Sequence, residues 1–455
     1  MTGRHAVPED IFAALAAGGG GERAMRLLVR TQQGKHLALL RMVLASAKQV
    51  QHPRVEDFAR AYDLIARAQL EQPEDVEPLL RHPPVGAWAI RALRDLRSAS
   101  TVDIGYLTAL AAAAALLTRS DCEVAVPLRD RSLFLPLLGR IRLPLTDPPD
   151  TVTVRSSRDG AYIVAAGTCL PIPANPRLDS DSWEAIRKLT VRTKGATTSF
   201  LLDDLDPYRF PEQRTAARIE VSELRHWQQT LSDAWALLAD HHEETALEVA
   251  AGVTVLVPLC SGPGHDVSAT SRHSFGTIAL STPGDGASFA ATFAHERQHA
   301  KLSALLDLIP LISAPGKNRW YAPWRNDPRP LGGLLQGAYA HLGVAGFWRR
   351  QRLFDHHEMS LEPHVEFARW RDGTRDAVAT LQASGALTAL GTRFVDGMAE
   401  TLDTWRAEPV PAEALQQART AAHQHQEAWQ QRNGQLGDHS AQRRISTTAE
   451  ARSPG

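Results

Sequence analysis

Residues 289–308 read FAATFAHERQHAKLSALLDL, and the way this stretch folds sets the terms for the rest of the chain. Phe289, Phe293, Leu302, Leu305 and Leu306 recur at helical spacing, which predicts an α-helix with one apolar face. Positions four apart share a face of such a helix. His295 and His299 of the HExxH string can therefore offer two imidazole nitrogens to one metal ion, with Glu296 beside them as a candidate catalytic base. The helical context lifts the string above a chance match, whose bland reading is two surface histidines around a solvated glutamate.

Working outward, a mononuclear site needs a third ligand, and the familiar peptidase patterns do not supply one. A metzincin would continue HExxHxxGxxH, but Leu302 and Leu305 stand at those positions, and no NExxSD-type string follows. The next strong helical pattern, residues 331–352 (LGGLLQGAYAHLGVAGFWRRQR), carries His341 beside Gly337, Ala338 and Ala345. Small residues there would let two helices approach closely, so His341 is the leading third ligand. His356, His357, Glu358 and His364 are the alternatives. Between the two helical stretches lies YAPWRNDPRP (residues 321–330), a proline-stiffened loop that presents Arg325 and Arg329. Guanidinium groups near a metal suit a carboxylate, while the plainer reading is Arg–Asp pairing that holds the loop. Upstream, SATSRH (residues 268–273) brings Arg272 before a turn and a strand-like run, and could line the same pocket.

Further towards the N-terminus, residues 8–96 read as helices broken at Gly18–Gly21 and at His82-Pro83-Pro84. The glycine run has no preceding strand and no GKS or GKT ending, so a flexible connection is expected rather than a phosphate loop. Residues 106–117 (YLTALAAAAALL) predict a buried helix, too short for a membrane span of about 20 residues. Short β-prone runs follow at 123–127, 132–135, 151–155 and 161–164. FLLDDLDPYRF (200–210) reads as an acidic, aromatic loop, and 222–242 as a helix. Glu248-Val249, residues 253–259 and residues 276–280 look like strands, and a final helix is expected over 412–431.

The fold class is α+β: a helical N-terminal region (1–120), a mixed α/β middle with a small central mixed or antiparallel sheet (121–245), and a mostly helical metal-binding region (246–431). The middle region is a candidate for peptide docking. Residues 432–455, polar and without apolar spacing, predict a disordered tail.

Composition narrows the classes of function. With 50 Lys and Arg against 51 Asp and Glu in 455 residues, the chain lacks the basic surplus of a general nucleic-acid binder. Its three cysteines, Cys122, Cys169 and Cys260, form neither a disulfide framework nor a CxxC pair. No basic n-region leads an apolar run at the start, so a cytoplasmic setting, with neither membrane nor nucleic-acid partners, is the expectation.

Taken together, Pro258-Leu259, SATSR (268–272), Phe275-Gly276, AHERQH (294–299), LLDL (305–308), YAPWRNDPRP (321–330), GAYAHLGV (337–344) and Phe347-Trp348 resemble the HExxH-motif peptide-modification proteins, 2-oxoglutarate-dependent peptide β-hydroxylases. The likeness is strongest over residues 250–350. It implies Fe(II) with 2-oxoglutarate as cosubstrate, the metal held by His295, His299 and His341 unless Glu296 or Glu358 replaces one of them. It implies hydroxylation of a β-carbon in a ribosomally made precursor peptide; whether residues 1–220 recognise a leader segment is left open. Under that resemblance Arg329, then Arg325, would hold the distal carboxylate of 2-oxoglutarate, and Arg272 would contact cosubstrate or peptide. Imidazole ligands suit Zn(II) as well. The alternative is therefore a zinc metallopeptidase with Glu296 as general base, and a third reading is a non-catalytic peptide binder. The spacing leaves the metal, the peptide and the oligomeric state open.

Overall fold

The computed structural model describes residues 7–98, 105–193, 196–260, 267–313, 316–354 and 361–449. His356, His357 and Glu358 lie outside the described residues. The first six helices are α1 (Glu9–Ala16), α2 (Gly21–Gln49), α3 (Val55–Glu71), α4 (Pro73–Leu80), α5 (Pro83–Arg97) and α6 (Gly105–Thr118). Nine strands follow: β1 (Cys122–Pro127), β2 (Ser132–Leu135), β3 (Gly139–Arg142), β4 (Thr151–Ser157), β5 (Gly160–Ala165), β6 (Thr168–Ile172), β7 (Glu184–Ala185), β8 (Arg187–Thr193) and β9 (Ala196–Leu202). Then come α7 (Val221–His241), α8 (Glu243–Gly252), β10 (Val255–Pro258), β11 (Ser268–Ala269) and β12 (Thr277–Leu280). The chain closes with α9 (Gly286–Leu306), α10 (Leu331–Gln351), α11 (Glu362–Ala383), α12 (Ala389–Arg406) and α13 (Ala412–Ala449). The fold is α+β, as the sequence indicates. Among the described residues no helix is long and apolar enough to cross a membrane.

Three local expectations are corrected. Glu248-Val249 is helical, because Glu243 and Glu244 suit the positive end of a helix and the alanines after them favour its interior. Phe200–Leu202 belong to β9, so only the acidic part of residues 200–210 is loop. The expected boundary at 432 lies inside α13, which runs from Ala412 to Ala449.

The chain forms two compact units that cross the expected segment boundaries. One comprises Met1–Ala24, Asp240–Thr245 and Phe293–Gly455, the other Met25–Ala239 and Ala246–Thr292. In the second, sheet-bearing unit, α6 is buried along its length, and its alanines let α3, α4, β1, β2 and β4 pack against it. Strands β1, β4, β5 and β6 form an antiparallel sheet in that order, and β2, β3 and β7 a second. The third sheet runs β11-β12-β10-β9-β8. Its β10 is parallel to both β12 and β9, while the two outer pairings are antiparallel. All four residues of β10 and of β12 are buried, consistent with their unbroken apolar or small sequences.

In the helical unit α10, α11, α12 and α13 pack in succession around α11. Helix α1 lies on α12, where Phe12 meets Phe394 edge-on with ring centroids 5.9 Å apart. Gly397 permits this approach, since a Cβ there would stand 2.8 Å from the Cβ of Ala16.

Candidate metal centre

His295 and His299 lie one turn apart on α9, with ring centroids 4.8 Å apart. His341, from the middle of α10, brings its ring to 5.1 Å from that of His295. Two imidazoles bound through Nε2 to one ion at about 2.1 Å have centroids roughly 5 Å apart, the spacing of the His295–His299 and His295–His341 pairs. Helices α9 and α10 come this close at Gly343, where a Cβ would stand 2.6 Å from the carbonyl oxygen of Ala294 and from Cγ of Gln298. Close approach through small residues is thus what the structure shows, but at Gly343. Gly337 serves a different purpose: its bare Cα makes room for the Trp324 indole.

Hydrogen bonds orient two of the rings. His341 Nδ1 lies 2.9 Å from the Gly337 carbonyl oxygen, and His299 Nδ1 lies 3.1 Å from Gln336 Oε1. Gln336 in turn donates through Nε2 to Ser303 Oγ at 3.2 Å. A ring that donates through Nδ1 keeps the lone pair on Nε2, the tautomer a metal requires, and such outer partners fix ligand orientation. Burial pushes the His341 imidazolium down to about 3, against the opposing pull of the Gly337 carbonyl. Burial, then the neighbouring His299 and His341, holds His295 well below the usual histidine range. Both rings are therefore neutral at physiological pH, ready to donate a lone pair.

One condition is not met: nitrogens sharing an ion at about 2.1 Å lie at most about 4.2 Å apart, whereas one nitrogen from each of the three rings does not fall within 4.8 Å of the other two, so the rings would have to draw in around a metal. Among the described residues that spacing is reached only by His82, Asp203 and Asp206 of the sheet-bearing unit. The all-imidazole donor set fits Fe(II) or Zn(II), and His295, His299 and His341 are the residues that would hold it.

Aromatic residues wall in His341. Trp324 stacks on it at 4.3 Å and 13°, and Trp370 of α11 tilts against it at 4.7 Å. Arg369, half-buried, places its guanidinium 4.5 Å from the Trp370 ring centroid and depresses the proton affinity of His341. Sequence reasoning passed over Arg369 and Trp370 because nothing in the local string at 361–371 marks them. Tyr321, His425 and Trp429 form a further aromatic group, with Tyr321 Oη 2.9 Å from His425 Nδ1.

The other expected residues are placed as follows. Glu296 is buried, with Oε1 3.9 Å from His295 Nε2. Arg325 Nε donates to Asp327 Oδ1 at 2.7 Å, and Arg329 Nη1 to Asp327 Oδ2 at 3.2 Å. Both loop arginines thus pair with the aspartate between them. Arg329 also packs over Gly333 at the start of α10. Arg272 is exposed, in a turn of the sheet-bearing unit. His364 lies half-buried on the first turn of α11, and it is His341 whose ring meets His295.

Elsewhere on α9, Lys301 is fully buried and donates Nζ to the carbonyl oxygens of Gly18 (3.1 Å) and Gly19 (2.9 Å). Gln298 Nε2 donates to Gly18 at 2.8 Å. The expected flexible glycine connection is therefore a held turn. Gly18 and Gly20 adopt φ of +86° and +116°, which side-chain-bearing residues rarely reach. Burial, then Arg297, lowers the Lys301 ammonium well below its usual range.

No protein-family model matches the chain, and no curated protein matches it.

Proposed function

We propose that the chain is an Fe(II)/2-oxoglutarate-dependent oxygenase that hydroxylates a β-carbon in a ribosomally made peptide. The observation that carries this reading is the meeting of three imidazoles from α9 and α10, two with their Nδ1 atoms engaged. His295, His299 and His341 would hold the metal. Arg369, beside Trp370, joins Arg329 and Arg325 as a candidate for the distal carboxylate of 2-oxoglutarate. Fe(II), O2 and 2-oxoglutarate together supply the oxidising chemistry when bound, with succinate and CO2 released as the peptide gains oxygen. Trp324 and Trp370 shield His341 from water and fix the plane of its ring. The precursor peptide is the proposed partner.

The test is anaerobic loading with Fe(II) and 2-oxoglutarate, followed by O2 and a precursor peptide encoded beside the gene. A metal-to-ligand absorption band, succinate release and the mass of one added oxygen on the peptide are expected. Absence of all three overturns the reading.

A second reading, a zinc metallopeptidase, draws on the Glu296 carboxylate oxygen 3.9 Å from His295 Nε2. There Glu296 would take a proton from water and pass it to the leaving amine, work worth about 10²–10⁴ in rate. Glu296→Gln separates the two: a peptidase loses that factor, whereas succinate release by an oxygenase persists.

A further inference from the structure

Helix α5 begins with Pro83 and Pro84, which have no N–H to cap, and His82 before them makes no side-chain capping bond. Its ring is turned into the core instead, 1% exposed, where neither nitrogen has a hydrogen-bond partner. Facing it are two carboxylates from the loop after β9. Asp203 Oδ1 accepts the backbone N–H groups of Leu205 (3.1 Å) and Asp206 (2.8 Å), and Asp206 Oδ1 accepts that of Tyr208 (2.8 Å). These bonds hold both carboxylates so that each Oδ2 lies 3.6 Å from His82 Nε2. Asp203 Oδ2 has no hydrogen-bond partner, and Asp206 Oδ2 accepts Tyr106 Oη at 2.8 Å. The side chains of Asp203 and Asp206 are fully buried.

A separation of 3.6 Å is too long for a hydrogen bond. It is close to the spacing of two ligands on one ion, since bonds of about 2.1 Å at a tetrahedral angle put donor atoms about 3.4 Å apart. Burying an unpaired imidazole and an unpaired carboxylate oxygen would otherwise oppose folding. We propose that His82 Nε2, Asp203 Oδ2 and Asp206 Oδ2 bind one divalent transition-metal ion, of which Zn(II) fits the donors, as a structural element of the sheet-bearing unit. Tyr106, whose Oη bonds Asp206, stacks on Trp88 and meets Tyr208 edge-on, and all three rings are buried. The site is distinct in residues and chemistry from the histidines of α9 and α10, and does not depend on their role.

The test uses the full chain carrying His295→Ala and His299→Ala, which removes the α9 ligands. The protein is stripped with chelator, loaded with Zn(II), desalted and assayed for metal. About one equivalent of Zn(II) should remain, with a melting temperature about 2–4 °C above that of the stripped protein. Adding Asp203→Asn, a change of one atom per carboxyl group, should bring retained zinc close to zero and erase the rise. Should the double variant, folded by circular dichroism, retain no zinc and melt independently of it, the proposal fails. Zinc retention unchanged in folded Asp203→Asn and Asp206→Asn variants would overturn it equally.

Discussion

The two histidine clusters of this chain differ in donor set and in access. On α9 and α10 three imidazoles meet, two of them only half-buried, and two have their second nitrogen tied to a carbonyl or amide. Before α5 a single imidazole faces two carboxylates, all three groups sealed from solvent. A centre that must take up cosubstrate needs open positions, whereas one that only braces a fold is closed. The contrast fits the two proposals, turnover at the first cluster and support at the second.

The sharpest way to break this division is His299→Ala. Hydroxylation should fall to background while zinc held by His82, Asp203 and Asp206 is retained, as read by succinate release and metal analysis on one sample. Loss of both metals together would erase the distinction.

Acid sensitivity probes the units by their buried neutral histidines. Burial pushes His36 and His242 each to about 4, below the value of about 6.5 in an unfolded chain. Between those pH values the unfolded chain binds more protons, so stability rises with pH across that window and is lost as pH falls from 6.5 towards 4. Each contributes about 3 kcal/mol at neutral pH. His36→Gln and His242→Gln should each flatten the pH dependence of urea unfolding, and a variant with unaltered slope would refute the account.

A smaller effect is expected from Gln336→Leu, which removes the Nδ1 partner of His299. Metal affinity at the α9 site should weaken about 10–100-fold by calorimetry, with the sealed site indifferent. Smallest is Gly343→Ala. Its methyl group meets the Ala294 carbonyl at 2.6 Å, and separating α9 from α10 should lower stability by about 1–3 kcal/mol in urea. An unchanged midpoint would mean the helices part without penalty.

How legible each cluster is in the sequence follows from its geometry. His295 and His299 are four apart on one helix, a relation visible in any window of that length, and His341 is marked by small neighbours on the next helix. His82, Asp203 and Asp206 come together only through long-range packing, so nothing local announces them. Arg369 escaped notice for the same reason, while Arg325 and Arg329 drew attention through concentrated charge that Asp327 already satisfies. The α+β class and most helices follow from apolar spacing. Strands β3, β6, β7, β8 and β9 are short or rich in polar residues, and their pairing partners rather than their own sequences make them strands.

Helix α1 and its bed on α12 stand at opposite ends of the order of synthesis. At about 5–20 residues per second, the roughly 380 residues between Phe12 and Phe394 take on the order of 20–75 s to make. Throughout that interval Ile11, Phe12 and Leu15 are without the surface that buries them in the finished protein. A helix made about 380 residues earlier thus waits for its bed. A circular permutant that joins it directly behind α12 should fold with a shorter delay.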